Sequence, residues 1–154
     1  AQRDLSVSYN ALAGVMVTAG KLGEAERLYR EDLAIRERLA AADPGNAEAQ
    51  RDLSVSYNAL AGVMVTAGKL GEAERLYRED LAIAERLAAA DPENAVAQRD
   101  LSVSYSTLAG VMVTAGKLGE AERLYRQALP IAEQSFGPEH QFTGEILKQL
   151  ATLS

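Results

Sequence analysis

The sequence contains no cysteine and no tryptophan, and its only histidine is His140. A chain without cysteine forms no disulfide and offers no thiolate as a nucleophile or zinc ligand, and a single histidine cannot pair with a second one at a metal. No nucleophile is grouped with a base, and no glycine-rich loop is grouped with phosphate-binding residues. We therefore predict no metal, no cofactor and no enzymatic activity.

Positive charge and long apolar runs are also scarce. The 22 acidic residues outnumber the 16 basic ones, and the net charge is −6, so the attraction that drives binding to nucleic acid or anionic lipid is missing. The longest stretch without a charged residue, Leu53 to Gly68, is too short and too rich in Ser, Asn, Thr and Gly to span a bilayer. We predict neither a nucleic-acid partner nor a membrane partner, and we expect a cytoplasmic location.

The sequence does contain an internal repeat, with two nearly identical copies and a third similar one. The residues from Ser8 to Asp32 recur letter for letter from Ser56 to Asp80, and nearly so from Ser104 onward. The motif RDLSVSY begins at residues 3, 51 and 99, so the period is 48 residues. The first two copies differ only at the pairs Arg36/Ala84, Gly45/Glu93 and Glu48/Val96. This self-similarity predicts stacked repeats that bury a continuous core which no single copy could bury alone.

Each copy carries two helical patterns and no strand signal. The first places apolar residues at i, i+4, i+7 and i+11, which is one face of a helix, as in Leu53, Tyr57, Leu60 and Met64. The second pattern repeats this spacing from Ala73 to Ala88, and the segments AGKLG and ADPEN supply the breaks. We predict an all-α fold, a right-handed superhelical solenoid of antiparallel helix pairs with six long helices and a shorter seventh. Residues 1–154 form one array, with repeats at 3–50, 51–98 and 99–138 and a capping helix at 139–154.

These residues resemble the tetratricopeptide repeat (TPR) family. The family places an aromatic, a Leu, a small and a bulky residue on a first helix, Ala and an aromatic on a second, and a final Pro. The matching residues of the first copy are Tyr9, Leu12, Ala13, Met16, Ala25, Tyr29 and Pro44, with Gly20 at the turn. The family period is about 34 residues, and the additional residues lengthen each helix by about two turns, to roughly 20 residues.

The end of the chain is similar to bacterial repeats related to kinesin light chain, in which Gly, Pro, an acidic residue and His join successive repeats. The segment SFGPEHQ carries these residues, with Gly137 closing one helix and Pro138 leading to the next. The resemblance implies that residues 141–153 form a terminal cap.

In the family, the first helices line a concave groove that binds peptides or partner proteins. The corresponding residues here are Val7, Asn10, Gly14, Val17, Val55, Asn58, Gly62, Val65, Ser106 and Gly110. This set contains no Lys or Arg, so of the residues that clamp carboxylate tails in some members only Asn10 and Asn58 are present. The resemblance implies a noncatalytic scaffold for protein–protein interaction, with the charged residues of the second helices, including Asp32 and Arg36, on a solvated convex face.

Two features of the repeats allow more specific expectations. Glycine inside a helix is unfavourable, so Gly14, Gly62 and Gly110 indicate a close approach, either of a neighbouring helix or of a ligand backbone in the groove. Asp32 and Asp80 occupy an apolar stripe where the third copy has Ala128. We expect each carboxylate to accept a hydrogen bond from the first helix of the following repeat, for example from a Ser or Tyr hydroxyl.

An alternative function is that of a structural or engineered module whose main partner is another copy of itself. The sequence begins at Ala1, in mid-repeat and without methionine, which we interpret as an excised or engineered fragment. A face carrying Leu5 and Val15 is then uncovered, and two chains can pair through their N-terminal ends as a homodimer.

Overall fold

A computed structural model describes residues 2–153, which form seven α-helices and no strand. The helices are α1 (Gln2–Thr18), α2 (Leu22–Ala42), α3 (Ala47–Thr66), α4 (Leu70–Ala90), α5 (Ala95–Thr114), α6 (Leu118–Phe136) and α7 (Gln141–Leu153). The six long helices and the shorter seventh confirm the all-α prediction, and α2 to α6, at 19 to 21 residues, have the predicted length. Among the described residues, no helix is long and apolar enough to cross a membrane.

The chain divides into two compact units, one up to Asp80 and one from Leu81 onward. In the first unit α2 packs against both α1 and α3, and the unit ends within α4. In the second unit α6 packs against both α5 and α7. Each unit therefore contains a central second helix that is covered on two sides by its neighbours.

The break after each first helix is built around a glycine in the left-handed region. Gly68 has a φ of 78°, and its amide donates to the carbonyl of Val65 at 3.0 Å while the amide of Lys69 donates to that of Met64 at 2.8 Å. This pair of bonds satisfies carbonyls that the helix end leaves open, and only glycine adopts the required φ without steric cost. The same two bonds recur at Gly20 and Gly116, so the AGK segment ends every first helix in the same way.

The breaks after α2 and α4 are each ended by an asparagine. Asn46 caps α3, because its side-chain oxygen accepts from the amide of Ala49 at 3.1 Å, and Asn94 caps α5 in the same way. These caps start both helices four residues before the RDLSVSY motif at residues 51 and 99. The predicted repeat boundaries at 51 and 99 therefore lie inside helices, and the helical unit begins just after each Asn.

The core of each unit consists mainly of aliphatic side chains from facing helices. Leu60, Met64 and Leu76 are fully buried in the first unit, and Leu108 and Met112 are fully buried in the second. Helix α7 buries Ile146 and Thr143, whose hydroxyl donates to the carbonyl of Gly137 at 2.8 Å. The last helix therefore covers α6, and the turn at Gly137 is tied to its first residues.

Candidate functional site: a groove between α1 and α3

A surface cavity of about 200 Å³ lies between α1 and α3, above α2. The first helices contribute exposed valines and an asparagine, and α2 contributes two charged side chains. The residues that line the cavity are Val7, Asn10, Ala11, Asp32, Arg36, Asp52, Val55 and Ser56. The cavity thus combines an apolar rim with a polar floor, an arrangement typical of binding sites.

Asp32 forms this floor and is only 1% exposed. Its carboxylate accepts hydrogen bonds from the hydroxyls of Ser6 and Ser56, the latter at 2.6 Å, and from the amide of Asn10 at 3.3 Å. Ser56 belongs to the first helix of the following repeat, which confirms the expected bond for Asp32. The buried charge is thus satisfied by side chains from both first helices, and it holds α1 and α3 at a defined separation.

Arg36 gives Asp32 an additional partner. Its guanidinium lies 3.5 Å from the Asp32 carboxylate and donates to Asp52 on α3 at 3.0 Å, and its side chain is only 11% exposed. The prediction that Asp32 and Arg36 belong to a solvated convex face is therefore wrong. Asp32 lies at the middle of α2 and Arg36 lies one turn later, on the side that α1 and α3 cover. The helical spacing of the pair alone does not show which side that is.

A second cavity of about 340 Å³ adjoins the first and shares Arg36 and Asp52 with it. Here Arg3 of α1 forms ion pairs with Glu48 and Asp52 of α3. Two of the three positions at which the first two copies differ, Arg36 and Glu48, line this cavity, where the second copy has Ala84 and Val96. Arg36 and Glu48 are therefore the charged lining residues specific to the first copy, and this difference between copies is the sequence signal that could have located the cavity.

The second unit shows the same position without a carboxylate. Ala128 replaces the aspartate and is fully buried, and the hydroxyl of Ser102, equivalent to Ser6, instead donates to the carbonyl of Arg99 in its own helix at 2.9 Å. Ser106 replaces the asparagine equivalent to Asn10. Aspartate and asparagine are thus lost together, as expected if the amide is there to bond the carboxylate. In the second copy Asp80 accepts from Ser54 and from the amide of Asn58 at 3.3 Å, as Asp32 does from Ser6 and Asn10. The bond expected for Asp80 from the first helix of the third repeat stays a prediction.

The structure places the ten predicted groove residues on three helices. Three of them, Val7, Asn10 and Val55, line the smaller cavity. The others continue the same helix faces beyond it, with Gly14 and Val17 on α1 and Asn58, Gly62 and Val65 on α3, while Ser106 and Gly110 lie on α5 in the second unit. Four lining residues that the groove prediction does not include, Asp32, Arg36, Asp52 and Ser56, make the cavity charged rather than neutral.

The predicted self-association residues Leu5 and Val15 are exposed on α1, together with Leu12. Their equivalents in the second copy, Leu53, Val63 and Leu60, are buried. Leu12 belongs to the family signature, and its equivalents Leu60 and Leu108 are fully buried. The apolar face of α1 is therefore larger than the two predicted residues indicate.

Family comparison covers most of the chain. Two models described as "Tetratricopeptide repeat" match it, one at residues 5–44 and 53–92 and the other at residues 100–153. The matches of the first model begin 48 residues apart, in step with the internal period. No curated protein sequence matches the chain.

Solved structures of similar fold include BtubC (BKLC) from P. vanneervenii, with a TM-score of 0.75 and 21% identity over 99% of this chain and 55% of that one. A Podosopora anserina protein with nearly identical TPR-like repeats, described as a kinesin light chain, has a TM-score of 0.73 and 21% identity over 99% of this chain and 66% of its own. The N-terminal domain of stress-induced protein 1 from C. elegans has a TM-score of 0.66 and 16% identity over 99% of this chain and 97% of its own. This chain therefore spans between half and two thirds of the first two proteins, and at these identities the likeness shows the solenoid fold alone.

Proposed function

We propose a peptide-binding or protein-binding function for this chain, which belongs to the tetratricopeptide repeat family. Repeats of this family generally mediate protein–protein interactions, and the family is typically noncatalytic. The groove between α1 and α3 is the surface we assign to binding. The observation that carries the assignment is the cavity itself, where the exposed valines Val7 and Val55 flank the buried Asp32. Exposed apolar side chains beside fixed polar groups are typical of surfaces that bind a partner.

The charges of the cavity favour a particular kind of segment. Arg36 is engaged by both Asp32 and Asp52, so the cavity has no unpaired cation and carries one excess negative charge. Such a lining does not favour a terminal carboxylate, and it suits an apolar segment that is neutral or weakly basic. The same ion pairs argue against catalysis, because the acidic groups are already neutralised by arginine or bonded to serine. A cytoplasmic location stays a prediction.

The groove assignment is tested with a charge placed on its rim. Peptides that bind the wild-type chain are first selected from a phage-displayed library of short random sequences. We expect Val55→Glu to abolish their binding, because the carboxylate adds to the negative charge of the cavity. The matched control is Val96→Glu, since Val96 is also an exposed valine on a first helix and the first copy carries Glu48 there naturally. Equal binding by the two variants would place the interaction outside the groove.

The exposed face of α1 favours self-association as a second function. Leu5, Leu12 and Val15 together form an apolar surface whose equivalents in α3 are buried, so pairing of two chains through this face would remove it from water. We expect light scattering to show a mass that rises toward a dimer with concentration, and Val15→Glu to suppress that rise. A constant monomer mass at the highest attainable concentration would leave the groove as the only candidate interaction surface.

A further inference from the structure

The glycine of each first helix is not required by the helices packed around it. A Cβ atom added at Gly62 would meet no atom closer than the hydroxyl oxygen of Tyr77, at 3.8 Å, which is an ordinary van der Waals distance. The values at Gly14 and Gly110 are 3.9 and 3.8 Å, again to a tyrosine hydroxyl, that of Tyr29 and of Tyr125. Alanine would therefore fit at these positions and would favour the helix, so close packing of a neighbouring helix does not explain the glycines.

Beside Gly62 and Gly110, the hydroxyl belongs to a buried tyrosine and has no hydrogen-bond partner among the described residues. Tyr77 is only 7% exposed and Tyr125 only 5%, and neither hydroxyl forms a hydrogen bond within residues 2–153. Every fully buried side-chain nitrogen or oxygen in this range does have a partner, so these hydroxyls lie at the small part of each ring that solvent reaches. Each of these hydroxyl oxygens lies 3.8 Å from the place that a Cβ atom of the glycine would take, so it borders the space that the missing side chain leaves, which we call the glycine recess.

The other tyrosines of the repeats provide a contrast. The hydroxyl of Tyr57 bonds to Glu37 at 3.4 Å, and that of Tyr105 bonds to Glu85 at 3.1 Å. These phenols stabilise contacts between helices, as buried phenols usually do. Tyr77 and Tyr125 instead keep a free donor at the surface of a first helix. Burial, reinforced by the negative charge of Asp80, raises the pKa of Tyr77 above its ordinary value, which favours the protonated hydroxyl further.

We infer that the main chain of a bound peptide lies in the glycine recess and that the Tyr77 hydroxyl donates a hydrogen bond to one of its carbonyl oxygens. The recess admits a peptide backbone because no side chain projects from Gly62. One helical turn earlier, the amide nitrogen of Asn58 is held by Asp80 at 3.3 Å, which leaves the side-chain oxygen of Asn58 to accept a peptide N–H. The second copy thus presents a donor from Tyr77 of α4 and an acceptor from Asn58 of α3, the two groups that a peptide backbone requires.

This inference rests on the proposed function, and it deepens it by naming the ligand as a peptide recognised mainly through its backbone. The second unit offers the same donor at Tyr125 beside Gly110, but Ser106 stands where Asn58 stands in the second copy. Recognition through main-chain atoms predicts that peptides of different sequence will bind to the same recess.

The test uses synthetic peptides selected on the wild-type chain from a phage-displayed library of short random sequences, labelled for fluorescence anisotropy. We expect Tyr77→Phe to weaken their binding by about 3- to 10-fold, since it removes a single hydrogen bond and no ring atom. Tyr57→Phe is the matched control, because it removes a hydroxyl that already has a partner, and it should leave the affinity unchanged. Gly62→Ala should weaken binding as well, although it raises the melting temperature.

A peptide series in which single backbone amides are replaced by esters identifies the acceptor. One ester should weaken binding to the wild-type chain, because an ester carbonyl is a poorer acceptor than an amide carbonyl, and the same ester should have little further effect on binding to Tyr77→Phe. If selected peptides are lost with Val55→Glu but bind equally to wild type, Tyr77→Phe and Gly62→Ala, the backbone inference is overturned and the groove function stands. If no peptide is selected, or if Val55→Glu, Tyr77→Phe and Gly62→Ala all leave binding unchanged, both are overturned.

Discussion

Helices α1 and α3 contain the same sequence of seventeen residues, from Gln2 to Thr18 and from Gln50 to Thr66. The side chains of the two helices are nevertheless buried to different extents. Leu12 is 47% exposed in α1, whereas the equivalent Leu60 in α3 is fully buried. Both segments are helical, and both end at the same glycine turn. They differ in their surroundings, since α2 precedes α3 and packs against it, while α1 is the first described helix. Identical sequence therefore gives identical secondary structure, and the neighbouring helix decides what is buried.

Truncating the equivalent leucines measures this difference directly. We expect Leu60→Ala to lower the free energy of unfolding by about 2–5 kcal/mol, because it leaves a cavity in a packed core. Leu12→Ala removes the same atoms from a half-exposed site and should cost less than about 1 kcal/mol. Urea denaturation followed by circular dichroism gives both values. Equal losses would show that the α1 face is covered in solution, as in a dimer.

The aspartate cluster distinguishes the first copy from the third. Asp32→Ala deprives the hydroxyls of Ser6 and Ser56 of their acceptor, and we expect it to cost about 1 to 3 kcal/mol of stability. The melting curve of Asp32→Ala is compared with that of Ala128→Asp. The second variant places a carboxylate in the third copy, which has no side-chain amide equivalent to that of Asn10.

We expect Ala128→Asp to be destabilising as well and Ser106→Asn to restore part of the loss, because the asparagine supplies the bond that Asn10 makes to Asp32. A neutral Asp32→Ala would mean that the cluster contributes specificity of pairing rather than stability.

The smallest expected effect is at the surface ion pairs that join α2 to α4. Arg30 donates to Glu26 at 3.0 Å and to Glu72 at 2.8 Å, and these bonds lower the pKa of both carboxyl groups below their usual value of 4.5. A lowered carboxyl pKa stabilises the folded chain above the unfolded-state pKa, and this contribution is lost as the pH falls through the folded-state pKa. We expect Arg30→Met to cost less than about 1 kcal/mol at neutral pH, since the pairs are solvent-screened.

The cost of Arg30→Met should disappear in acid, where both carboxyl groups are protonated. Arg126→Met is the control, because among residues 2–153 Arg126 pairs only with Glu122 of its own helix, at 2.8 Å. Thermal unfolding at a series of pH values compares the two variants. If the stability lost by Arg30→Met grew as the pH fell, the assigned direction of the two carboxyl pKa shifts would be contradicted.

Much of the fold could be predicted from the sequence, because its signals are local. The glycine turns, the seven helices and their lengths follow from helical periodicity and turn chemistry, and the hydrogen bond from Ser56 to Asp32 was expected because a carboxylate in an apolar stripe requires a partner. The site was predicted less completely. Val7, Asn10 and Val55 were placed on the cavity side, but Arg36 and Asp32 were assigned to the solvent face. A pair four residues apart on a helix forms the same ion pair whether it is buried or exposed, so its spacing could not decide between the two.

The sequence by itself determined where each helix begins and ends and the repeat of 48 residues, since these depend on bonds between residues that are close in the chain. Only the tertiary structure decided that Leu12 is exposed while Leu60 is buried, that Arg36 joins the cavity lining, and that the Tyr77 hydroxyl is left without a partner beside Gly62. The physical reason is that burial and hydrogen-bond partnership depend on atoms from helices distant in sequence. Two identical segments acquire different properties when those helices differ.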